Sequence, residues 1–148
     1  MSYEVSKADY SDLEWIVEDA VVKMLQDEVN NMQYYNKTSI TDLVMNALLT
    51  GTLLVCKKDG ERVGVLGGVL VPHYLNTDKR ILAEIIWYVS KEHRTGRAGY
   101  LLLKEYSQMA REISDMATFS LLPDSPVSDK TLMKFGFKPT ERSFLMEN

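Results

Sequence analysis

The stretch Thr52–Val71, "TLLVCKKDGERVGVLGGVLV", constrains the fold more than any other part of the chain. Two apolar runs flank Asp59-Gly60, a pair that readily takes the left-handed backbone of a tight two-residue turn, so the runs predict a β-hairpin. A third run, "RILAEIIWYVS" (residues 80–90), is rich in β-branched and aromatic residues and predicts another long strand. Neither run reaches the length of a bilayer span, so these are strands of a folded domain.

Helical periodicity surrounds this strand-rich centre. Leu13, Ile16, Val17, Ala20, Val21, Met24 and Leu25 recur at helical spacing, with Ser11 as N-cap and Glu14 completing a capping box, and one face is buried to about Val29. The polar "NNMQYYNKT" (residues 30–38) predicts a connection. A second helix is expected from Ser39, with Asp42 near its start and Gly51 just past its end. Leu101, Leu102, Tyr106, Met109, Ala110 and Ile113 form a third helical stripe. "MATFSLL" (residues 116–122) predicts a strand, "SDKTLMKF" (residues 128–135) a short helix that Gly136 ends, and "RSFLM" (residues 142–146) a closing strand. With "YEVSKA" as a short first strand, this order of elements gives a mixed α/β sheet of about six strands, mostly antiparallel, with helices on both faces.

Composition excludes several classes of function. With 148 residues the expectation is one domain over 1–148, and 45% hydrophobic with 26% charged residues is ordinary for a globular chain. A net charge of −4 and a pI near 5.2 argue against nucleic-acid binding. The N-terminal "MSYEVSKADYSDLEW" has no signal-peptide pattern, so a cytoplasmic, non-membrane protein is expected. Cys56 is the single cysteine and is expected to be a buried, inert thiol. His73 and His93 have no second histidine or cysteine at metal-ligand spacing, so no metal is expected, and His93 is expected at a rim. Tyr34-Tyr35 are expected to pack a loop, and Lys57-Lys58 and Lys79-Arg80 to be solvated strand ends.

The chemistry centres on residues 84–99. "RTGRAG" (Arg94–Gly99) links the third strand to a helix whose first turn offers unpaired N–H groups and the positive end of the dipole, a suitable place for a phosphate. Gly96 and Gly99 permit close approach, and Arg94 and Arg97 add charge. Glu84 is the one carboxylate within "RILAEIIWYVS", and a charge in so apolar a strand needs a partner or a task. By two-residue alternation Leu82, Glu84, Ile86 and Tyr88 share a face unless a bulge intervenes.

The element order, the loop "RTGRAG" and the ending "KFGFKPTERSFLM" together resemble the GNAT superfamily of N-acetyltransferases. The family loop, R/Q-x-x-G-x-G/A, aligns with Arg94, Thr95, Gly96, Arg97, Ala98 and Gly99, with Arg97 standing where the first glycine is usual. "R-x-G-R-x-G" after "WYV" is similar to small acetyltransferases of bacteriophages, which would place the protein in a host cytoplasm. The resemblance implies that acetyl-coenzyme A donates an acetyl group to an amine. Its phosphates would lie on Arg94, Thr95, Gly96, Arg97, Ala98, Gly99 and Tyr100, and its pantetheine arm on Trp87, Tyr88 and Val89. Glu84 is implied as general base and Tyr88 as a second catalytic candidate. The tyrosine that many members use as general acid is replaced by Leu132, which with Arg97 favours an alternative: a non-catalytic or virion-associated relative. The acceptor and the oligomeric state, a homodimer included, stay open.

Overall fold

The computed structural model describes residues 2–148, which form two compact units, the first ending at Thr118 and the second comprising Phe119–Asn148. The first unit is built on a five-stranded sheet in the order β1-β2-β3-β4-β5. These strands are β1 (Tyr3–Lys7), β2 (Thr52–Lys58), β3 (Glu61–His73), β4 (Asn76–Val89) and β5 (Met116–Thr118). The first four run antiparallel in turn, and β5 lies parallel to β4. The mixed, mostly antiparallel sheet with helices on both faces agrees with expectation, with five strands in place of six.

The Asp59-Gly60 hairpin forms as the sequence predicts. Both residues have positive φ, 52° and 84°, which matches the twist of the flanking strands. β3 and β4 form a second, longer hairpin, with Tyr74 and Leu75 exposed at its tip.

Between β1 and β2 the chain forms a continuous helical run, α1 (residues 10–29), and α2 (Lys37–Thr50). The cap of α1 lies two residues before the expected one. Asp9 accepts from the Ser11 N–H, and Asp12 accepts from the Asp9 N–H at 2.9 Å, so two aspartates close the capping box in place of Ser11 and Glu14. Within α1 the segments Ile16–Ala20 and Leu25–Val29 are wide π turns, and Asn30 ends the run in the left-handed region. Asn36 caps α2 by accepting from the Ser39 N–H at 3.0 Å. After β4 comes α3 (Ala98–Ile113).

The sheet faces divide by alternation along β3. Val65 and Val69 join Ile16, Val17, Val44 and Ile86 in the core beneath α1 and α2. A side chain at Gly64 would meet Leu102, and one at Gly68 would meet Tyr106, so the intervening residues face α3.

In the second unit α4 (Asp129–Met133) is capped by Ser128, which accepts from the Thr131 N–H at 3.3 Å. Gly136 follows at φ 97°, and Phe119 and Phe137 meet edge-on with centroids 5.7 Å apart. The expected strand over residues 142–146 does not form. Phe144, Leu145 and Met146 are exposed, and among the described residues of this unit there is no strand with which they could form a ladder.

Candidate active site

The edge of β4 opens at one residue. Ile81, Leu82 and Ala83 pair with Met116, Ala117 and Thr118, and there β5 ends. From Glu84 to Val89 β4 keeps β3 on one side, and among the described residues no strand pairs with its other edge. A β-bulge falls at the same point, because Gly68 pairs with Glu84 while Gly67 pairs with Ile86, leaving Ile85 as the extra residue. Glu84 is therefore the first residue of an open strand edge, half-buried, at a place where the strand bends.

The bulge also divides the face that simple alternation predicts. Residues paired across strands share a face, so Glu84 follows Gly68 and Leu82 toward α3. Ile86 and Tyr88 lie on the opposite face, in the core beneath α1 and α2. Tyr88 is 3% exposed, and burial raises its phenol pKa, with Lys23 and Arg94 opposing that rise. Glu84 and Tyr88 therefore do not meet across one surface. Trp87 and Val89 face α3 and lie 3.7 and 3.8 Å from the position a Gly99 side chain would take.

Beyond β4, the loop leads through a single turn, Lys91–His93, to the start of α3. Arg97 is the N-cap of that helix, and no side chain caps it, in contrast to the Asn36 and Ser128 caps. Its first N–H groups therefore face outward without a side-chain acceptor. Thr95, Gly96 and Arg97 are exposed, Tyr100 is 41% exposed and Ala98 is fully buried. The Arg97 guanidinium lies 5.3 Å from the Tyr100 ring centroid.

Arg94 takes another course. Its Nε donates to the Val89 carbonyl at 2.7 Å, its Nη2 lies 3.5 Å from Glu28 Oε1, and its guanidinium covers the Tyr88 ring at 5.5 Å. It stitches the loop to the end of β4 and to α1. Gly96 also serves the fold, since a side chain there would strike Tyr3. Tyr3 in turn hydrogen-bonds His93 Nδ1 at 3.1 Å, so His93 anchors the loop to β1. Tyr3 and Glu28 carry no sequence signal for this task, because each lies far from the loop in the chain.

The remaining candidates are structural. Cys56 is fully buried, and burial pushes its thiol up to about 11. Tyr35 donates to the Val17 carbonyl at 3.4 Å, and Tyr34 is exposed. His73 stacks on Tyr74. Leu132 is buried in α4. Among the described residues no group of three or more His, Cys, Asp or Glu could hold a metal ion, and no helix is long and apolar enough to cross a membrane.

Comparisons with known proteins agree with this geometry. Residues 19–137 match the sequence profile of the acetyltransferase (GNAT) family. No curated protein matches by sequence. Several solved structures share the fold. A transcriptional regulator from Bacillus halodurans C-125 superposes with a TM-score of 0.72 at 19% identity, over 99% of this chain and 100% of that one. A predicted acetyltransferase with acetyl-CoA from Clostridium acetobutylicum gives 0.73 at 18% identity, over 99% and 96%. AAC(6')-Iy in complex with the bisubstrate analogue CoA-S-monomethyl-acetylneamine gives 0.73 at 14% identity, over 100% and 99%.

Proposed function

The chain belongs to the acetyltransferase (GNAT) family, and on that premise we propose that it transfers an acetyl group from acetyl-coenzyme A to an amine. The observation that carries this proposal is the continuous line from the open β4 edge, Glu84 to Val89, into the uncapped first turn of α3. An extended pantetheine arm carries amide groups that can pair with such an edge as an added strand, beside Trp87, Tyr88 and Val89. Phosphates at its far end would reach the N–H groups of Ala98, Gly99 and Tyr100, with Arg97 supplying charge at the surface. Thr95 and Gly96 border the same place, and Arg94 holds it in position from behind. The fold likeness to structures whose names include acetyl-CoA and a CoA bisubstrate analogue supports the choice of donor. The family match crosses both compact units, which supports one acetyltransferase domain over residues 1–148.

Acetyl-coenzyme A supplies an activated thioester. For transfer, the acceptor ammonium must lose a proton, its nitrogen must bond to the acetyl carbon and shed a second proton as the carbon–sulfur bond breaks, and the leaving thiolate must take up a proton. Glu84 is assigned the first task, directly or through one water, because it stands where the β4 edge opens. Tyr88 contributes its main chain to the donor edge, while its ring packs in the core on the other face. With Leu132 in place of the family's tyrosine, the leaving thiolate takes its proton from water. The kinship with bacteriophage members rests on "RTGRAG" after "WYV" alone.

A second reading, a relative that keeps the fold without catalysis, is favoured by Leu132. Calorimetric titration with acetyl-coenzyme A, followed by a thiol-release screen over small amines and peptide amines, decides between them. Binding with turnover supports the enzyme, and Glu84→Gln should then lower turnover by about 10²–10⁴ while preserving donor affinity. Binding without turnover supports the relative, and no binding at millimolar donor overturns both.

A further inference from the structure

The link between α2 and β2 is one residue long. α2 ends at Thr50 and β2 begins at Thr52, so Gly51 alone turns the chain from helix to strand. It does so against the backbone of β3. A methyl built on Gly51 would fall on the Gly68 carbonyl oxygen, and would lie 3.1 Å from the Gly68 carbonyl carbon and from Val69 Cα. These are main-chain atoms of a central strand, which cannot swing aside as the end of a side chain can, so the approach needs glycine.

The residue approached is the one that faces the β4 bulge. Gly68 pairs with Thr52 on one side and Glu84 on the other, while Gly67 pairs with Leu53 and Ile86. Gly68 is enclosed from other directions as well. A side chain there would fall on the Tyr106 hydroxyl of α3 and lie 2.9 Å from the Ala83 carbonyl oxygen of β4. The α2–β2 link, α3 and β4 therefore close around one peptide unit. Such a restraint has a use in this strand. Gly64, Gly67 and Gly68 lie within five residues of β3, and a glycine-rich strand specifies its register weakly. With the bulge displaced past Glu84 toward the hairpin tip, Glu84 would pair with Val69 and turn from the α3 face into the core beneath α1 and α2.

We infer that Gly51 is a positioning residue for Glu84: its close pass over the Gly68 carbonyl pins the β4 bulge in register, and so sets the face from which Glu84 meets the open edge. The use of that placement in catalysis rests on the reading of Glu84 as general base.

The test records backbone amide NMR signals of the full chain. Gly51→Ala should move the signals of Glu84 and Ile85 more than those of Trp87–Val89, which pair with β3 beyond the bulge. A chain with one glycine inserted between Gly51 and Thr52, which relaxes the link without a clash, should do the same, and it decides alone where Gly51→Ala does not fold. Asp12→Ala disturbs the other end of β2, where Asp12 meets Lys57 and Arg62, and should leave the Glu84 and Ile85 signals in place. Unmoved signals in the folded link variants overturn the inference. Thiol release from acetyl-coenzyme A, with the amine that turns over fastest in the screen, then tests the role. Turnover per folded molecule should fall by about 10²-fold in Gly51→Ala, the effect of a displacement near 1 Å at a reacting group. Donor affinity by calorimetry should be unchanged, and the same substitution added to Glu84→Gln should cause little further loss. An equal further loss in that background shows that Gly51 does not act through Glu84 and overturns the positioning role. A Glu84→Gln protein with normal turnover overturns the base reading instead, and the amide signals still decide whether Gly51 pins the bulge.

Discussion

Replacing Gly96 and Gly99 by alanine, one at a time, should move stability in opposite directions, although the two glycines look equivalent in "RTGRAG". An alanine methyl at 96 would lie 2.5 Å from Tyr3 Oη and 3.0 Å from two of its ring carbons. Tyr3 must then move, and its 3.1 Å hydrogen bond and edge-on contact with His93, at 5.8 Å between centroids, are lost or weakened. The hydrogen bond is worth about 1 kcal/mol, and the ring pair about 0.5–1 kcal/mol. Against this, alanine reduces the freedom of the unfolded chain by about 0.5 kcal/mol, so the net loss at 96 is about 1 kcal/mol. At 99 the nearest atoms to a new methyl are Trp87 and Val89 at 3.7 and 3.8 Å, ordinary contact distances, in the first turn of a helix. Alanine should therefore stabilise there, by up to about 1 kcal/mol. Thermal melts followed by circular dichroism should separate the two variants by about 4–8 °C, at roughly 2–4 °C per kcal/mol for a chain of this size.

Donor binding gives the complementary measurement. The space around Gly99 is not needed for packing, so it is available for a ligand that runs from Trp87 and Val89 to the start of α3. Gly99→Leu should fill it and weaken acetyl-coenzyme A binding by more than tenfold, about 1.4 kcal/mol or more, in calorimetry on a protein that still melts cooperatively. A Gly99→Ala protein less stable than Gly96→Ala would refute the assignment of the two glycines. Unchanged donor affinity in Gly99→Leu would remove the helix start from the binding site.

Two further predictions concern the frame that holds this site. Asp12 is 3% exposed, accepts from Arg62 Nε at 2.7 Å and lies 3.7 Å from Lys57 Nζ; Asp12→Ala should cost about 2–3 kcal/mol in urea unfolding, less than at a fully buried pair because the Arg62 side chain is 30% exposed. Burial holds the Cys56 thiol protonated to about pH 11 against an ordinary 9.0, so above pH 9 the unfolded chain releases a proton that the folded one keeps. Stability should therefore be fully present below pH 9 and fall by up to about 1.4 kcal/mol per pH unit toward pH 11; Cys56→Ala should flatten that part of a pH series of melts, and an identical slope in the variant would refute it.

The strands and helices were legible because their signals are local. Asp59-Gly60 between apolar runs fixes a hairpin whatever surrounds it, and the stripe from Leu101 to Ile113 marks a buried helix face. The cap of α1 was misplaced because "ADYSDLE" offers several capping residues in succession, and the Asp9–Asp12 pair satisfies the same geometry as Ser11–Glu14. The strand expected at "RSFLM" has strand composition, but a ladder needs a neighbour, and composition cannot supply one.

At the candidate site, the strand–loop–helix passage and the place of Glu84 on a strand could be read from the chain, while the faces and partners of the individual residues could not. Alternation put Glu84 and Tyr88 on one face; one extra residue at Ile85 puts them on opposite faces. A bulge has no composition of its own, although the Gly67-Gly68 pair across from it was the available signal. Arg94 read as a phosphate ligand because charge beside glycine suggests one, whereas its guanidinium is turned to the Val89 carbonyl and Glu28, partners that only the folded chain brings within reach.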